Sequence, residues 1–264
     1  MTSVSTMLIT GGAGFVGSAF CRAALEQTPR RVVVFDALTY AGRRENLDGL
    51  EQTYRDRFAF MHGDIRDREA VTRAVALWSP DVIVNLAAES HVDRSIQSAG
   101  VFVATNVTGV QTLVDVVRSA SPATKFIQVS TDEVYGALPL DDPSARFTEQ
   151  SPLAPRSPYA ASKAGGDCLA LAAHHTHGLD VVVTRCANNM GPRQFPEKLV
   201  PRFITRLLEG KPVPVYGDGR HVRDWMHVDD HADGLLRVIE RGTAGGVYHL
   251  GAGNEISNLD LTHA

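Results

Sequence analysis

Cysteine is scarce in this chain, and the three thiols it has lie far apart. Cys21, Cys168 and Cys186 form no C-x-x-C pair, so the pattern implies no zinc site. Scattered thiols of this kind suit a reducing compartment, and a cytoplasmic location is expected. Long apolar runs are also lacking. The first six residues are polar and the apolar stretch after them is short, so no signal peptide is read; no segment reads as a membrane span, and no membrane partner is expected. Repeats and low-complexity tracts do not occur. Lys and Arg number 26 against 30 Asp and Glu, for a formal net charge of -4, which argues against a polybasic surface for nucleic acid. An anionic ligand has to be held by local devices instead, such as a helix N-terminus or a few placed arginines.

What is present is a rhythm. The chain has 264 residues, 44% of them hydrophobic, enough to bury a full core as one large domain or as a domain with a small lobe. Short runs rich in Val and Ile at 7–10, 31–35, 58–62, 81–86, 125–130 and 180–185 read as buried strands. Amphipathic segments at 16–26, 68–77, 102–119 and 158–176 separate them. This alternation predicts an α/β fold, a Rossmann-type doubly wound parallel sheet with helices on both faces. After Arg185 the rhythm breaks. Pro192, Pro196, Pro201, Pro212 and Pro214 crowd a stretch with one helix expected at 201–208, which reads as a smaller lobe. A helix at 227–241, capped by Asp229 or Asp230, and a strand at 246–250 follow, and both are free to rejoin the main sheet.

The first strand runs into Gly11-Gly12-Ala13-Gly14-Phe15-Val16-Gly17. Gly11, Gly14 and Gly17 have G-x-x-G-x-x-G spacing between a strand and a helix, the context a phosphate-binding turn requires. Glycine permits the tight turn and close backbone approach, and the next helix points free N–H groups and its positive dipole end at a pyrophosphate. Asp36 ends the second strand. A carboxylate there accepts the ribose hydroxyls of adenosine and repels a 2′-phosphate, which favours NAD over NADP; Arg43 and Arg44 nearby pull the other way. The expected division is therefore an NAD-binding domain at 1–185 and 223–250, with a substrate lobe at 186–222 and 251–264.

Tyr159 and Lys163 lie one turn apart on a predicted helix and share a face. A tyrosine of pKa about 10 becomes a base near neutrality only if its phenolate is favoured by about 4 kcal/mol. An adjacent ammonium and a positive nicotinamide ring both act in that direction. The fifth strand ends in Thr131-Asp132-Glu133, at the sheet edge where open α/β folds bind ligands. Two adjacent carboxyls resist joint ionisation, so one can stay protonated as an acid while the other works as a base.

These residues carry a resemblance. Segments 8–17, 35–42 (FDALTYAG), 86–95 (LAAESHVDRS), 129–136 (VSTDEVYG), 157–164 (SPYAASKA), 185–192 (RCANNMGP), 194–201 (QFPEKLVP) and 215–228 (VYGDGRHVRDWMHV) span nearly the whole chain. They resemble the extended short-chain dehydrogenase/reductase superfamily and, within it, the dTDP-glucose 4,6-dehydratases. The resemblance implies that Tyr159 takes the C4 hydroxyl proton as hydride leaves C4 for NAD. It implies that Lys163 tunes Tyr159 and holds the nicotinamide ribose, and that Thr131 bonds near the C4 oxygen. Glu133 would remove the C5 proton, Asp132 would protonate the departing C6 hydroxyl, and the hydride would return to C6. The implied cofactor site includes Gly11, Gly14, Phe15, Val16, Gly17, Asp36, Ala37, Leu38 and Thr39. Asp64 and Ile65 would flank adenine, and Leu86, Ala87, Ala88, Thr105 and Asn189 would complete the site. Ser90, Asn188, Lys198, Leu199, Pro214, Val215, Tyr216, Arg223 and Asn258 would contact the dTDP-sugar, with Arg223 and Lys198 facing the diphosphate. A homodimer formed through a four-helix bundle of segments 102–119 and 158–176 is also implied.

Two departures from the family pattern stand out. Met190 replaces the usual Tyr in the Asn-Asn-x-Gly-Pro turn. Family members also run on for several tens of residues past the position of Ala264, so the substrate lobe is expected to be incomplete at its C-terminal end. The tracts His174-His175-Thr176-His177 and His227-Val228-Asp229-Asp230-His231 look ligand-like, but they read as helix-terminus residues, and His91 and Asp93 as loop-orienting ones; no metal site is expected. Two other readings fit part of the pattern: an epimerase or a dehydratase of another nucleotide sugar, and a non-catalytic NAD-binding protein on the same fold.

Overall fold

The computed structural model describes residues 5–139, 142, 145–215 and 217–263. In chain order the elements are β1 (Thr6–Thr10), α1 (Phe15–Gln27), β2 (Arg31–Asp36), α2 (Leu50–Tyr54), β3 (Phe58–His62), α3 (Arg68–Trp78), β4 (Val82–Asn85), α4 (Val92–Gln97), α5 (Gly100–Val103), α6 (Val110–Ala120) and β5 (Lys125–Thr131). They continue with α7 (Pro158–His177), β6 (Val181–Cys186), β7 (Asn188–Met190), α8 (Leu199–Leu208), β8 (Val222–His227), α9 (Val228–Arg241), β9 (Val247–Leu250), β10 (Glu255–Ser257) and α10 (Asn258–His263).

Seven strands form one sheet in the order β3-β2-β1-β4-β5-β6-β9, and every neighbouring pair is parallel. The order reverses between β1 and β4, which opens a crevice at the carboxyl ends of the strands. The doubly wound sheet is the architecture that the sequence rhythm predicts. Alternation along each strand feeds two cores. Met7, Ile9, Val32 and Val34 pack with Phe20 and Leu25 of α1 and Leu235 of α9. Leu8, Val33 and Phe35 pack on the other face with Val71 of α3 and Leu113 and Val117 of α6. Strand β9 rejoins this sheet beside β6.

Three features differ from the sequence expectations. First, β8 pairs with β7 and β10 in a separate three-stranded sheet, so residues 223–227 sit with the small lobe's strands. Its apolar residues alternate too briefly to reveal a strand to periodicity alone. Second, the cap of α9 is His227, whose Nδ1 accepts from the Asp229 N–H at 3.3 Å; Asp229 and Asp230 lie in the first turn, where their charges meet the positive helix end. Third, the helical stretch Gly100–Ala120 is long and apolar enough to cross a membrane by composition. In the fold it is a core helix, because Val110, Leu113, Val114, Val116 and Val117 lie buried in the second core.

That same stretch contains a π-helical turn at Ala104–Gly109. The wider turn carries Asn106 inward. Its side chain holds both the N–H and the C=O of Glu89, each at 2.9 Å, and also donates to Ser162 Oγ of α7. A buried polar side chain is stable only when so satisfied. The loop after β4 is thereby fixed to the helix that carries Tyr159 and Lys163.

Helix α7 starts at Ser157, whose hydroxyl accepts from the Ala160 N–H, with Pro158 in the first turn. It is tied to β6 by a buried pair: Arg185 Nε donates to Asp167 Oδ2 at 3.1 Å, and the Arg185 guanidinium lies 5.0 Å from the Tyr135 ring centroid. Removing one member of such a pair leaves the other charge buried and uncompensated. Asp167→Ala should therefore lower unfolding stability by about 3–5 kcal/mol, measured by urea denaturation. A loss indistinguishable from zero would show that the pair does not tie α7 to the sheet.

Candidate active site

The crevice is a cleft of about 320 Å³ that runs from the glycine turn, across the β1/β4 switch, to the ends of β5 and β6. At one end, Gly11 has φ +70°, and a Cβ there would meet the Ala87 backbone N at 2.5 Å. A Cβ on Gly17 would lie 2.2 Å from the Gly11 carbonyl oxygen. Both positions therefore need glycine, for a left-handed turn and for close contact between helix and turn. Asp36 closes the turn from the next strand. Its two carboxyl oxygens accept from the Ala13 and Leu38 N–H groups, each at 2.8 Å, and burial pushes its pKa up. Each oxygen keeps a lone pair for a ligand hydroxyl. Arg44 is occupied elsewhere, paired with Glu51 and stacked 4.0 Å from the Phe60 centroid. Arg43 lies over Phe195 at 5.4 Å. The glycine cradle, the α1 N-terminus and the strand-end carboxylate fit a dinucleotide.

At the other end, Thr131 both ends β5 and caps a short 3-10 turn, Asp132–Tyr135; its Oγ1 accepts from the Glu133 N–H at 3.3 Å. Gly136 closes the turn at φ +100°. This compact turn sends its two acids to different places. Glu133 lines the main cleft, whereas Asp132 lines a side cavity of about 20 Å³ with Arg223, Asp224, His249 and Glu255. Glu133 borders both. Asp132 is pushed up to about 7, first by burial and next by the Glu133 charge, with Arg223 and the Thr131 hydrogen bond opposing. Glu133 is also raised by burial, and Arg223 and Lys198 draw it down.

Tyr159 and Lys163 reach the same cleft from α7. Burial raises the Tyr159 pKa well above its usual value, the Glu133 charge adds to this, and a hydrogen bond shared with Thr131 opposes it. Burial lowers the Lys163 pKa while Asp167 supports its charge, and its Nζ donates to the Val129 carbonyl at 2.7 Å. The phenol of this chain is thus a poor base until positive charge is brought beside it.

The remaining sequence candidates divide. Gly14, Phe15, Val16, Ala37, Thr39, Asp64, Ile65, Leu86, Ala87, Ala88, Thr105 and Asn189 line the cleft, as do Ser90, Asn188 and Lys198. Lys198 Nζ donates to the Ser90 carbonyl at 2.7 Å, joining the substrate lobe to the loop after β4. Asn188 carries a buried side-chain nitrogen without a protein partner. Leu38 touches the site only through its backbone N–H on Asp36, and its side chain joins the first core. Leu199, Pro214, Val215 and Asn258 do not line the cleft, and Arg223 lines the side cavity; Tyr216 lies outside the described residues. These positions belong to the lobe around the three-stranded sheet, away from the strand ends that form the cleft.

The structure adds residues that motif reading missed. Arg66 closes on Asp64 at 2.6 Å at the cleft wall. Cys186 and His231 also line the cleft. His231 is fully buried with its pKa pushed down to about 4 by burial, so it is neutral. Asn189 Oδ1 can only accept, so His231 Nδ1 donates to it at 3.1 Å and Nε2 keeps a bare lone pair. The alternating acid and His pattern near 227–231 suggested a helix start, and only tertiary packing turns His231 toward the cleft. Among the described residues, no group of three His, Cys, Asp or Glu side chains is arranged to hold a metal.

The sheet and cleft define a dinucleotide-binding Rossmann enzyme with an acid–base cluster. The sequence profile of the GDP-mannose 4,6 dehydratase family matches residues 8–264, and the chain belongs to that family. It is 54% identical over 258 residues to a dTDP-glucose 4,6-dehydratase of Streptomyces griseus, covering 97% of this chain and 76% of that one. It is 51% identical to the dTDP-glucose 4,6-dehydratase of an Actinoplanes species, covering 97% of this chain and 79% of the relative. The crystal structure of DesIV, a dTDP-glucose 4,6-dehydratase from Streptomyces venezuelae with NAD and dTDP bound, superimposes with a TM-score of 0.91 at 50% identity, covering 98% of this chain and 79% of that one.

The Asp132 environment has a thermodynamic signature. An unfolded aspartate titrates near 4, whereas the folded one holds its proton to about 7. The folded chain binds more protons in that window, so stability falls as pH rises through it, by at most about 4 kcal/mol. Asp132→Asn removes the charge and should stabilise the protein at about pH 8 by up to that amount, with little gain at about pH 4. Denaturant titrations at both pH values check this; an equal difference at the two would refute it.

Proposed function

We propose that this chain is an NAD-dependent nucleotide-sugar 4,6-dehydratase that converts dTDP-glucose to dTDP-4-keto-6-deoxyglucose and water. The observation that carries the reading is the Thr131-Asp132-Glu133 turn at the end of β5 beside Tyr159 and Lys163, because hydride chemistry alone needs only the last two. The similarity to the DesIV and Streptomyces griseus dehydratases supports it. The epimerase alternative uses the Tyr/Lys pair without the two acids, and an NAD-binding scaffold needs neither.

The glycine turn and the α1 N-terminus hold the pyrophosphate, Asp36 takes the adenosine ribose, and Asp64 and Ile65 border the adenine. Leu86, Ala87, Ala88, Thr105 and Asn189 line the path to the nicotinamide end, where Lys163 meets the ribose. When bound, NAD supplies a reversible two-electron acceptor that draws hydride from C4 and gives it back at C6. Tyr159 takes the C4 hydroxyl proton, and Thr131 holds the C4 oxygen. The resulting ketone acidifies the C5 proton, which Glu133 removes. Asp132, protonated near neutrality, gives its proton to the C6 hydroxyl as it leaves as water. Because Asp132 lies beside the side cavity, reaching that oxygen calls for a side-chain rotation on substrate binding. Ser90, Asn188 and Lys198 meet the sugar and its diphosphate. Arg223, Asn258 and the 199–215 segment form the surrounding lobe, in which Met190 changes one wall. The seven-stranded sheet acts as the cofactor domain and the three-stranded sheet with α8 as the substrate lobe.

Two coarser assignments accompany this. Three free thiols suit the cytoplasm. A homodimer is supported by Ile96, Val101 and Val103, exposed beside a row of small residues on α7, Ala161, Cys168 and Ala172, which gives a face apt for a four-helix bundle. Sedimentation should give twice the chain mass; a monomer at micromolar concentration would set the dimer aside.

Turnover of dTDP-glucose deuterated at C4 tests the function. A 4-keto-6-deoxy product with deuterium at C6 is expected. Unchanged substrate would count against dehydration, and a C4-inverted sugar would point to an epimerase.

A further inference from the structure

The dehydratase reading leaves a proton imbalance on the protein. In one turnover Tyr159 gains the C4 hydroxyl proton and Asp132 loses one to the departing oxygen. Glu133 takes the C5 proton and returns it to the same carbon. The enzyme therefore finishes one proton richer at Tyr159 and one poorer at Asp132, and it must move that proton before the next turnover. Both groups are buried, at 8% and 5% exposure, so bulk water is a poor intermediary.

The groups between them are few. Lys163 has no acceptor site and its ammonium is engaged with the Val129 carbonyl, so it offers Tyr159 no direct outlet. Thr131 is different. Its hydroxyl donates to Asp132 Oδ1 at 3.4 Å, and it lines the main cleft beside Tyr159, whose pKa it draws down. The Glu133 N–H donates to Thr131 Oγ1 at 3.3 Å and holds that hydroxyl in place. Asp132 lines the side cavity and Tyr159 the main cleft, and Thr131 lines that cleft while bonded to Asp132.

We propose, resting on the dehydratase reading, that Thr131 relays the reset proton from Tyr159 to Asp132. The Thr131 O–H bond breaks toward Asp132 Oδ1 as the Tyr159 O–H bond breaks toward Thr131 Oγ1. Phenol and carboxylate become phenolate and carboxylic acid. No electron moves, no co-reactant is needed, and both catalytic groups are rearmed in one event. The position of Asp132, pushed up to about 7, lets it hold the proton, while Tyr159 yields it once positive charge lies beside it. The rival route reloads Asp132 from the side cavity, where His249 Nδ1 and Glu255 Oε2 are buried without partners.

Rapid-quench turnover of NAD-loaded Thr131→Val with excess dTDP-glucose separates the two. The relay predicts a burst near one product per site, then a steady phase slower than the burst by about 100-fold or more. It also predicts that the ultraviolet tyrosinate band, bleached in the burst, returns only with the slow phase. Thr131→Ser keeps the hydroxyl and should restore rapid later turnovers, and Thr131→Ala repeats the test should valine disturb the turn. If neither hydroxyl-less variant gives a burst, because all turnovers slow alike or the first one fails, Thr131 only positions the C4 oxygen and the relay is wrong. If the unaltered protein makes no 4-keto-6-deoxy sugar, the dehydratase reading fails instead.

Discussion

The structure depends on keeping ionisable side chains dry at the carboxyl edge of a parallel sheet. Asp132, Tyr159, Lys163 and Asp167 are all buried there. Desolvation is the leading influence on each of them, raising the acids and the phenol and lowering the ammonium. Each shift favours the neutral form. Asp132 thus keeps its proton up to about pH 7, where a free aspartate would be fully charged, and small changes in local charge can move that proton. An arrangement of this kind opposes stability, and the large two-sided core of the sheet offsets it.

The rest of the fold supplies rigidity to that edge. Asn106, projected by the π-helical turn, pins the loop after β4 to α7. Tyr159 N–H donates to Ser95 Oγ at 3.1 Å, joining the same loop region to the start of α7. On the far side, Asp224 of β8 accepts from the N–H groups of Ala252, Gly253 and Asn254, which folds the 251–254 segment against the small sheet. The side cavity behind Asp132 is walled by that sheet. The small lobe therefore shapes the environment of Asp132.

Much of this was legible in the sequence. Hydrophobic runs separated by amphipathic stretches located six strands of the sheet, because a strand buried on both faces has to be apolar throughout. The glycine spacing marked the turn, because only glycine avoids the contacts that a Cβ would make with Ala87 and with the Gly11 carbonyl. The small sheet was not legible. Strands β7 and β10 are only three residues long, and β8 holds Arg223 and Asp224 amid apolar residues, too little pattern to register a period of two. The His227 cap was missed for a related reason: histidine is a rarer cap than the aspartates beside it, and the choice depends on where the chain enters the helix. The 100–120 stretch was harder still, since a core helix and a membrane span share a composition and differ only in what surrounds them.

The sequence by itself determined the fold and the glycine turn, and it marked the candidate reactive side chains. Each of these rests on local spacing: period two in strands, glycine at close approaches, Tyr and Lys one turn apart. Only the tertiary structure decided how the adjacent acids divide, Glu133 into the main cleft and Asp132 into a side cavity behind Thr131. It also decided that His231 is buried and neutral beside the cleft, bonded to Asn189. The reason is physical. Burial and neighbouring charge set which proton a group holds, and both are sums over residues distant in the chain, which no local pattern records.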